Sequence, residues 1–247
     1  REKLILDRDL ENARRIQRSL LPSQIPTIKG LEISGAMIPA MQVGGDYFDV
    51  IKVNDSKVFV IVGDVSGKGL AASFYMSKLQ TMVKLYCNED NSPREVLSKI
   101  NSRIFKEMEK SWFITATVAL FDVQYNNVKI CRAGHTATVL VKNNTIKEII
   151  PSGIGIGLEE GRIFNQNLEE FEIELPENSL FTFYSDGITE AMNSKKEMFG
   201  EASLNSFLLA NSNLKASEIE SELINTLKTH RKDFPQNDDI TFVIVKK

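Results

Sequence analysis

Cysteine and histidine are scarce in this sequence, which contains two of each among its 247 residues. Cys87 and Cys131 stand far apart and outside any paired motif, so we expect two reduced, buried thiols and no disulfide. This cysteine usage indicates a reducing compartment, and we therefore predict a cytoplasmic location.

Long hydrophobic runs and an excess of charge of one sign are also missing. No apolar run approaches the roughly 20 residues of a membrane-spanning helix. The 30 basic and 33 acidic residues give a net charge of −3, so nothing indicates a nucleic-acid partner or a membrane surface within this stretch. The first residues, Arg1 to Lys3, form neither an initiator methionine nor a signal peptide. We expect a piece of a longer protein, whose upstream region could carry a membrane tether.

The composition is that of a soluble globular protein, with 42% hydrophobic and 26% charged residues. A chain of this length buries enough apolar surface to form a core without disulfides or structural metals.

The first 21 residues lack glycine and proline and are rich in arginine and glutamate, which predicts one amphipathic helix. Its narrow apolar seam consists of Leu6, Leu10, Ala13, Gln17 and Leu20. The helix either lies on its own domain or forms a short coiled coil that joins two copies, and Ala13 and Gln17 would weaken the coiled coil. We accordingly divide the chain into an N-terminal linker or switch helix at 1–26, which could dimerise, and a single domain at 27–247.

Two aspartates flank a predicted β-hairpin in the first third of the chain. Residues 46–53 and 58–64 are β-prone and are separated by a polar turn. With the turn centred between them, Asp46 lies beside Asp64 or Val65 at the open end of the hairpin. Two carboxylates at one strand edge repel each other unless a cation lies between them, one holds a proton or solvent screens both.

The rest of the chain alternates between groups of helices and groups of strands. Two helices follow the hairpin, and two more are predicted at about 201–210 and at 216–231. Further β-prone runs lie at 114–123, 128–133, 138–141, 146–149, 168–174, 179–184 and 240–245. About ten strands with hairpin connections predict an α+β fold: a four-layer α-β-β-α sandwich of two antiparallel sheets flanked by helices, preceded by the N-terminal helix.

Four aspartates occupy equivalent positions in this scheme. Asp64 and Asp186 end strands, whereas Asp46 and Asp238 begin them, and such positions meet at one edge of antiparallel sheets. Each aspartate alone is typical of a turn, but together they predict an all-oxygen site that favours Mg²⁺ or Mn²⁺ over Zn²⁺. The pattern by itself indicates a metal-dependent hydrolase or a metal-binding site.

Six motifs in the chain resemble, in order and in content, those of a known family. The motifs are Gly44-Gly45-Asp46-Tyr47-Phe48-Asp49, Gly63-Asp64-Val65-Ser66-Gly67-Lys68-Gly69, Ala133-Gly134-His135, Tyr184-Ser185-Asp186-Gly187-Ile188-Thr189-Glu190-Ala191, Phe199-Gly200 and Asp238-Asp239-Ile240-Thr241. They are similar to those of bacterial metal-dependent serine/threonine phosphatases of the type 2C superfamily (PPM-type), in its SpoIIE/RsbU-like branch. The resemblance covers about residues 30–247, and residues 13–22 look like the helix that precedes this domain in many members.

The resemblance implies a β-sandwich that carries two divalent cations, Mn²⁺ or Mg²⁺. It implies that Asp64 bridges the cations, that the Val65 carbonyl joins one of them, and that Asp186 and Asp238 hold the other. Asp46 would act directly or through metal-bound water, and Asp239 is a weaker candidate ligand. The implied reaction is hydrolysis of a phosphoserine or phosphothreonine by a metal-activated water, without a covalent phosphoenzyme.

The resemblance also implies partners. The expected substrate is a phosphorylated regulatory protein, an anti-sigma-factor antagonist, and the expected input comes from a sensor domain upstream of the N-terminal helix.

Two residues beside the predicted site have open roles. His135 could act as a general acid, although an isolated histidine is more often packed or hydrogen-bonded in the core. Lys68 could help to orient the phosphate, although it could equally be a solvated lysine. No arginine clamp for the phosphate is evident in the sequence.

Other interpretations fit less well. The main alternative is a catalytically weak metal-binding or partner-binding regulatory module with a phosphatase-like fold. Residues 44–48 differ by one letter from the GGDEF hairpin of diguanylate cyclases, but Tyr47 cannot replace the carboxylate needed there. The stretch 63–69 is one residue too short for a Walker loop and ends in glycine where serine or threonine is required.

Overall fold

A computed structural model describes residues 2–247, except for the side chains of residues 2–4, 6 and 7. The helices in this range are α1 (Glu2–Leu20), α2 (Gly69–Tyr86), α3 (Pro93–Ile104), α4 (Gly161–Asn167), α5 (Gly200–Asn211) and α6 (Ala216–Arg231). The strands are β1 (Glu32–Ile38), β2 (Tyr47–Lys52), β3 (Lys57–Val65), β4 (Ile114–Asp122), β5 (Asn127–Ala133), β6 (Thr138–Lys142), β7 (Thr145–Ile149), β8 (Glu170–Glu174), β9 (Leu180–Tyr184) and β10 (Ile240–Lys246). None of the helices in this range is long and apolar enough to span a bilayer.

The strands form two five-stranded antiparallel sheets. Sheet I has the order β1-β10-β9-β6-β7, and sheet II has the order β2-β3-β4-β5-β8. The predicted four-layer α-β-β-α fold is confirmed.

Three apolar layers hold the sandwich together. The central layer lies between the sheets, where Phe121 of β4 packs edge-to-face against Phe181 and Phe183 of β9. An outer layer joins α2 and α3 to sheet II, and another joins α5 and α6 to sheet I. Each sheet thus buries both faces, which accounts for continuous apolar runs such as Val58–Val62.

The register of the hairpin β2–β3 is one of the two that the sequence left open. Tyr47 pairs with Gly63, so the next residues outward, Asp46 and Asp64, lie opposite each other. In the turn, the Asn54 side-chain oxygen accepts hydrogen bonds from the backbone N–H groups of Ser56 and Lys57. Of the two partners predicted for Asp46, the structure selects Asp64.

An ion pair between a buried aspartate and a half-exposed lysine joins β2 to α2. Asp49 is fully buried and accepts hydrogen bonds from the Tyr47 hydroxyl at 2.6 Å and from the backbone N–H of Val50. Its carboxylate also lies 2.6 Å from Lys84 Nζ, near the end of α2. This contact fixes the strand that begins immediately after Asp46. The sequence did not indicate it.

Helix α1 lies against its own domain. Leu10, Ala13 and Leu20 are partly buried and Gln17 is buried, whereas Ile16 is exposed. The predicted seam therefore faces the domain along these residues, and the side chain of Leu6 lies outside the described part of the chain. The two cysteines are buried and free, as predicted.

Helix α4 was missed in the sequence, because no helix was predicted between the β-prone runs at 146–149 and 168–174. Only Phe164 of this helix is buried, so the segment shows no apolar periodicity. The following strand, β8, begins at Glu170.

Candidate metal and active site

Five aspartates meet where the two sheets face each other at one end of the sandwich. Asp46 precedes β2 and Asp64 lies near the end of β3, so both belong to sheet II. Asp186 follows β9, and Asp238 and Asp239 precede β10, so these three belong to sheet I. The strand-end positions predicted from the sequence are therefore brought together from both sheets.

Asp46 is buried and is tied across the sandwich to sheet I. Its Oδ2 atom accepts a hydrogen bond of 2.6 Å from the hydroxyl of Ser185. The same hydroxyl oxygen accepts a hydrogen bond from the backbone N–H of Thr241. Ser185 is completely buried. Its hydroxyl therefore holds the Asp46 carboxylate in place from the interior of the sandwich.

Asp239 uses both carboxylate oxygens to hold the chain that leads to Asp46. Its Oδ2 accepts a hydrogen bond of 2.8 Å from the backbone N–H of Gly45 and a longer one, of 3.4 Å, from that of Asp46. Its Oδ1 accepts from the backbone N–H of Ala40 at 2.8 Å. These contacts leave Asp239 directed at the peptide backbone, away from the cavity described next.

A cavity of about 330 Å³ opens beside the aspartates. Its lining consists of Asp64, Val65, Ser66, Gly67, Lys68, Phe113, Thr115, Gly134, His135, Thr136, Asp186 and Asp238. Three of the predicted acidic site residues thus face one cavity, whereas Asp46 and Asp239 lie behind its wall. On the wall, Lys68 Nζ lies 2.8 Å from Asp238 Oδ2.

The clustering of carboxylates makes ionisation unfavourable. Burial raises the pKa of Asp46 well above its usual range, and the charges of Asp64 and Asp239 raise it further. Burial likewise raises the pKa of Asp64, with a further contribution from the charge of Asp186. The pKa values of Asp186 and Asp239 are also raised, chiefly by burial. The site therefore carries an unfavourable density of negative charge that a cation would relieve.

Glycines make the close approach of these segments possible. A Cβ atom on Gly187 would lie 1.8 Å from the backbone oxygen of Asp239, and one on Gly44 would lie 2.1 Å from Asp239 Oδ2. A Cβ on Gly45 would lie 2.9 Å from the Val65 carbonyl oxygen. A side chain at any of these positions would separate the segments that carry the aspartates.

His135 is held as a neutral imidazole. It is buried, and its Nδ1 atom lies 2.8 Å from the Thr115 hydroxyl. Burial lowers its pKa to about 3, and the positive charge of Arg132 acts in the same direction. A histidine that is neutral near pH 7 does not supply the proton of a general acid, so the general-acid role considered for His135 is not favoured.

The residues present fit hard divalent cations. Carboxylate and carbonyl oxygens are the ligands that Mg²⁺ and Mn²⁺ prefer, and a bound cation would offset the repulsion between carboxylates that adds to the effect of burial on the pKa values of Asp46 and Asp64. Among the described residues, no three acidic, cysteine or histidine side chains converge tightly enough to form a preassembled cation cage. The acidic donors share one cavity and its wall, and the side chains of Asp46 and Asp64 are close enough to interact directly.

Two contributors to the site were not indicated by the sequence. Ser185 was recognised only as part of a motif, and its contact with Asp46 depends on how the two sheets pack. Gln17 was interpreted as a weak member of the α1 seam. Its side chain exchanges two hydrogen bonds with the peptide group of Gly44, at 2.6 Å and 3.0 Å, and so touches the segment that carries Asp46.

The fold is that of PP2C domains. The phosphatase domain of SiaA from Pseudomonas aeruginosa superposes with a TM-score of 0.87 at 18% sequence identity, covering 100% of this chain and 98% of that one. Such a likeness establishes the fold alone.

Sequence comparison gives the family. The family model for stage II sporulation protein E (SpoIIE) matches residues 54–247, and the chain therefore belongs to the SpoIIE family. Phosphoserine phosphatase RsbU of Bacillus subtilis is 24% identical over 241 residues, which are 97% of this chain and 70% of RsbU. Protein IcfG of Synechocystis is 25% identical over 265 residues, covering 96% of this chain and 41% of IcfG. The chain thus spans less than half of this relative.

These findings agree with the resemblance seen in the motifs. The domain is a PPM-type phosphatase domain of the SpoIIE/RsbU-like branch. Members of the PP2C family are metal-dependent, generally with Mn²⁺ or Mg²⁺.

Proposed function

We propose that this domain hydrolyses phosphoserine or phosphothreonine on a regulatory protein in a reaction that depends on Mn²⁺ or Mg²⁺. The observation that carries the proposal is the convergence of Asp64, Asp186 and Asp238 on one cavity, with Asp46 fixed behind them by Ser185. The similarity to RsbU, whose name is that of a phosphoserine phosphatase, supports the same reaction.

Two cations are proposed, with Asp64 shared between them and the Val65 carbonyl as a further ligand of one. Asp186 and Asp238 would hold the other cation, and Asp46 would contribute directly or through water. Bound cations would supply charge neutralisation and a water of lowered pKa. For Asp239 the contacts support a positioning role, because both of its oxygens already accept backbone hydrogen bonds.

The chain's own residues prepare the site in three ways. Ser185 orients the Asp46 carboxylate. Asp239 fixes the backbone before and at Asp46, and Gly187 allows the segments that carry Asp186 and Asp239 to touch. The open cavity then leaves room for a phosphorylated side chain to approach the acidic donors.

The test is Mn²⁺-dependent release of phosphate from a phosphoserine protein. We expect Asp64→Asn and Asp186→Asn to reduce turnover at least about 100-fold, a loss of the size seen when one group that stabilises transition-state charge is removed. Asp55→Asn is the matched control, because Asp55 lies in the exposed β2–β3 turn. Equal activity in all variants would reject the site. A wild-type protein that binds Mn²⁺ without releasing phosphate would instead support a regulatory binding module.

The substrate that we propose is an anti-sigma-factor antagonist, as the resemblance of the motifs to the SpoIIE/RsbU-like branch implies. The match to the SpoIIE family model and the similarity to RsbU agree with that branch. Release of phosphate from a phosphorylated antagonist, compared with a phosphoserine peptide of the same local sequence, would test this choice. If the antagonist and the peptide released phosphate at the same rate at equal concentration, the assignment of that partner would be rejected.

We further propose that segment 1–26 connects the domain to an upstream sensor and can take part in a homodimer. The support is that α1 touches the site through Gln17 and Gly44 while Ile16 remains exposed on its outer side. Proteins with and without residues 1–26 would be compared by light scattering and phosphatase assay. The same oligomeric state and the same activity in both would contradict this role.

A further inference from the structure

Lys68 stands out because, among the residues that the structure describes, it is the only lysine or arginine in the lining of the acidic cavity, and the histidine there, His135, is neutral. Its ammonium group lies 2.8 Å from Asp238 Oδ2 and also donates a hydrogen bond to the backbone oxygen of Asn237. Half of the side chain remains exposed to solvent, whereas the carboxylate of Asp238 is less exposed. The amine therefore lies on the cavity wall beside an acidic donor, on a side chain that remains open to solvent.

The backbone beneath Lys68 is firmly held. The flanking glycines, Gly67 and Gly69, adopt positive φ angles of 83° and 75°. Ser66 exchanges two hydrogen bonds with Phe113: its N–H donates to the Phe113 oxygen, and its hydroxyl accepts from the Phe113 N–H. The base of the side chain is thus fixed, while the solvent-exposed stem and amine can change rotamer.

A phosphate monoester that enters this cavity meets mostly negative charge. Bound cations would neutralise part of it, but a phosphoryl group also needs donors that fix its orientation. Lysine provides a mobile point charge with three donors, and the cavity offers no arginine for this purpose among its lining residues.

From this arrangement, and resting on the phosphatase function proposed above, we infer that Lys68 is the group that holds the substrate phosphoryl group. Its amine exchanges Asp238 for a phosphoryl oxygen when the substrate enters. No bond is made or broken in this step. The amine keeps its proton and its charge, and only its hydrogen-bond partner changes.

A purely structural role for Lys68 makes a different prediction. If the amine only fastens Asp238 and Asn237, its removal should weaken cation binding and phosphate binding together. If it holds the phosphoryl group, removal should weaken phosphate binding while the affinity for Mn²⁺ stays the same or increases, because a positive charge next to Asp238 is lost.

The experiment compares the wild type with Lys68→Met and Lys68→Arg, and uses Lys78→Met as the control. Lys78 lies on α2, the helix that begins directly after Lys68, but its partner is Glu107 and it lies outside the cavity lining. Binding of Mn²⁺ alone, and then of inorganic phosphate to the Mn²⁺-loaded protein, is measured by calorimetry. The steady-state parameters for a phosphoserine peptide are determined in parallel.

Lys68→Met is expected to weaken phosphate binding and raise KM by roughly 10-fold to 100-fold, the loss that corresponds to one charge-assisted hydrogen bond. Lys68→Arg should recover part of this loss, and Lys78→Met should behave like the wild type. Unchanged phosphate binding in Lys68→Met, or a parallel loss of Mn²⁺ affinity, would overturn the inference. Normal phosphate binding by a wild-type protein that hydrolyses nothing would contradict the phosphatase function but not the role of Lys68.

Discussion

The carboxamide of Gln17 and the peptide group of Gly44 make a reciprocal pair of hydrogen bonds. Gln17 Nε2 donates to the Gly44 oxygen at 2.6 Å, and the Gly44 N–H donates to Gln17 Oε1 at 3.0 Å. Both contacts are buried, and Gly44 is two residues before Asp46. The N-terminal helix therefore holds the same short segment that Asp239 holds from the other side.

The substitution Gln17→Ala removes both hydrogen bonds to Gly44 and should make the backbone before Asp46 more mobile. Each lost buried hydrogen bond leaves a backbone group unsatisfied, at a cost of about 1–3 kcal/mol. We expect the Mn²⁺ concentration for half-maximal activity to rise several-fold. The control is Ile16→Ala, because Ile16 is the exposed neighbour on α1. An identical Mn²⁺ dependence in both variants would show that α1 does not influence the site.

Asp239→Asn should reveal whether Asp239 positions the backbone. An amide retains one acceptor oxygen and cannot satisfy the N–H groups of Ala40 and Gly45 together. We therefore expect faster amide hydrogen exchange at both residues in EDTA, and a Mn²⁺ requirement raised roughly 10-fold to 100-fold, as for other groups that orient metal ligands. Unchanged exchange with a weakened Mn²⁺ affinity would indicate a direct ligand instead.

The raised carboxyl pKa values predict a pH-dependent loss of folding stability, which the substitution Asp64→Asn should remove. A group whose pKa is raised on folding binds more protons in the folded state than in the unfolded state between the two pKa values. The ionised Asp64 consequently opposes folding at neutral pH, and this cost disappears as the pH falls toward the ordinary carboxyl pKa near 4.

In EDTA at pH 7.5, Asp64→Asn should therefore unfold at a higher temperature than the wild type. The expected rise is on the order of 3 °C, which corresponds to about 1 kcal/mol in a domain of this size. The difference should shrink at pH 5, and Mn²⁺ should stabilise the wild type more than the variant. Calorimetric scans would reveal the reverse order at pH 7.5 if the carboxylate were favourably paired.

Gly187→Ala tests the close approach of the two sheet I segments. Its Cβ would lie 1.8 Å from the Asp239 oxygen, so the chain must shift, at a typical cost of about 1–3 kcal/mol. Gly161→Ala is the control, since there the nearest atom would be 4.0 Å away, the Ser102 hydroxyl oxygen. We expect lower stability in urea and lower Mn²⁺ affinity for Gly187→Ala alone. Equal behaviour of the two variants would show that the contact is easily relaxed.

Much of the fold could be predicted because the sequence patterns that indicate its strands and helices are local. Turn residues between β-prone runs define the hairpins, and a capping box at Ser92 and Glu95 marks the start of α3, as observed. Helix α4 carries almost no apolar periodicity, so it was missed. The register of β2 and β3 depends on the hydrogen bonds that Asn54 makes within the turn, which its sequence position alone does not specify.

The sequence predicted which residues form the site better than it predicted how they are arranged. Strand-end positions were enough to bring Asp64, Asp186 and Asp238 to one cavity. The sequence did not show that Asp239 binds backbone N–H groups or that Gln17 reaches Gly44. These contacts join parts of the chain that are distant in sequence, and they depend on how the layers pack.

The distribution of the aspartates over two sheets has a mechanical consequence. Asp46 and Asp64 move with sheet II, whereas Asp186, Asp238 and Asp239 move with sheet I. A slide of one sheet over the other would change the distances between the two sets while leaving every strand intact. The hydrogen bonds that join Ser185 and Asp239 to the Asp46 segment oppose such a slide, so the alignment of the two sheets and the spacing of the acidic donors are mechanically coupled.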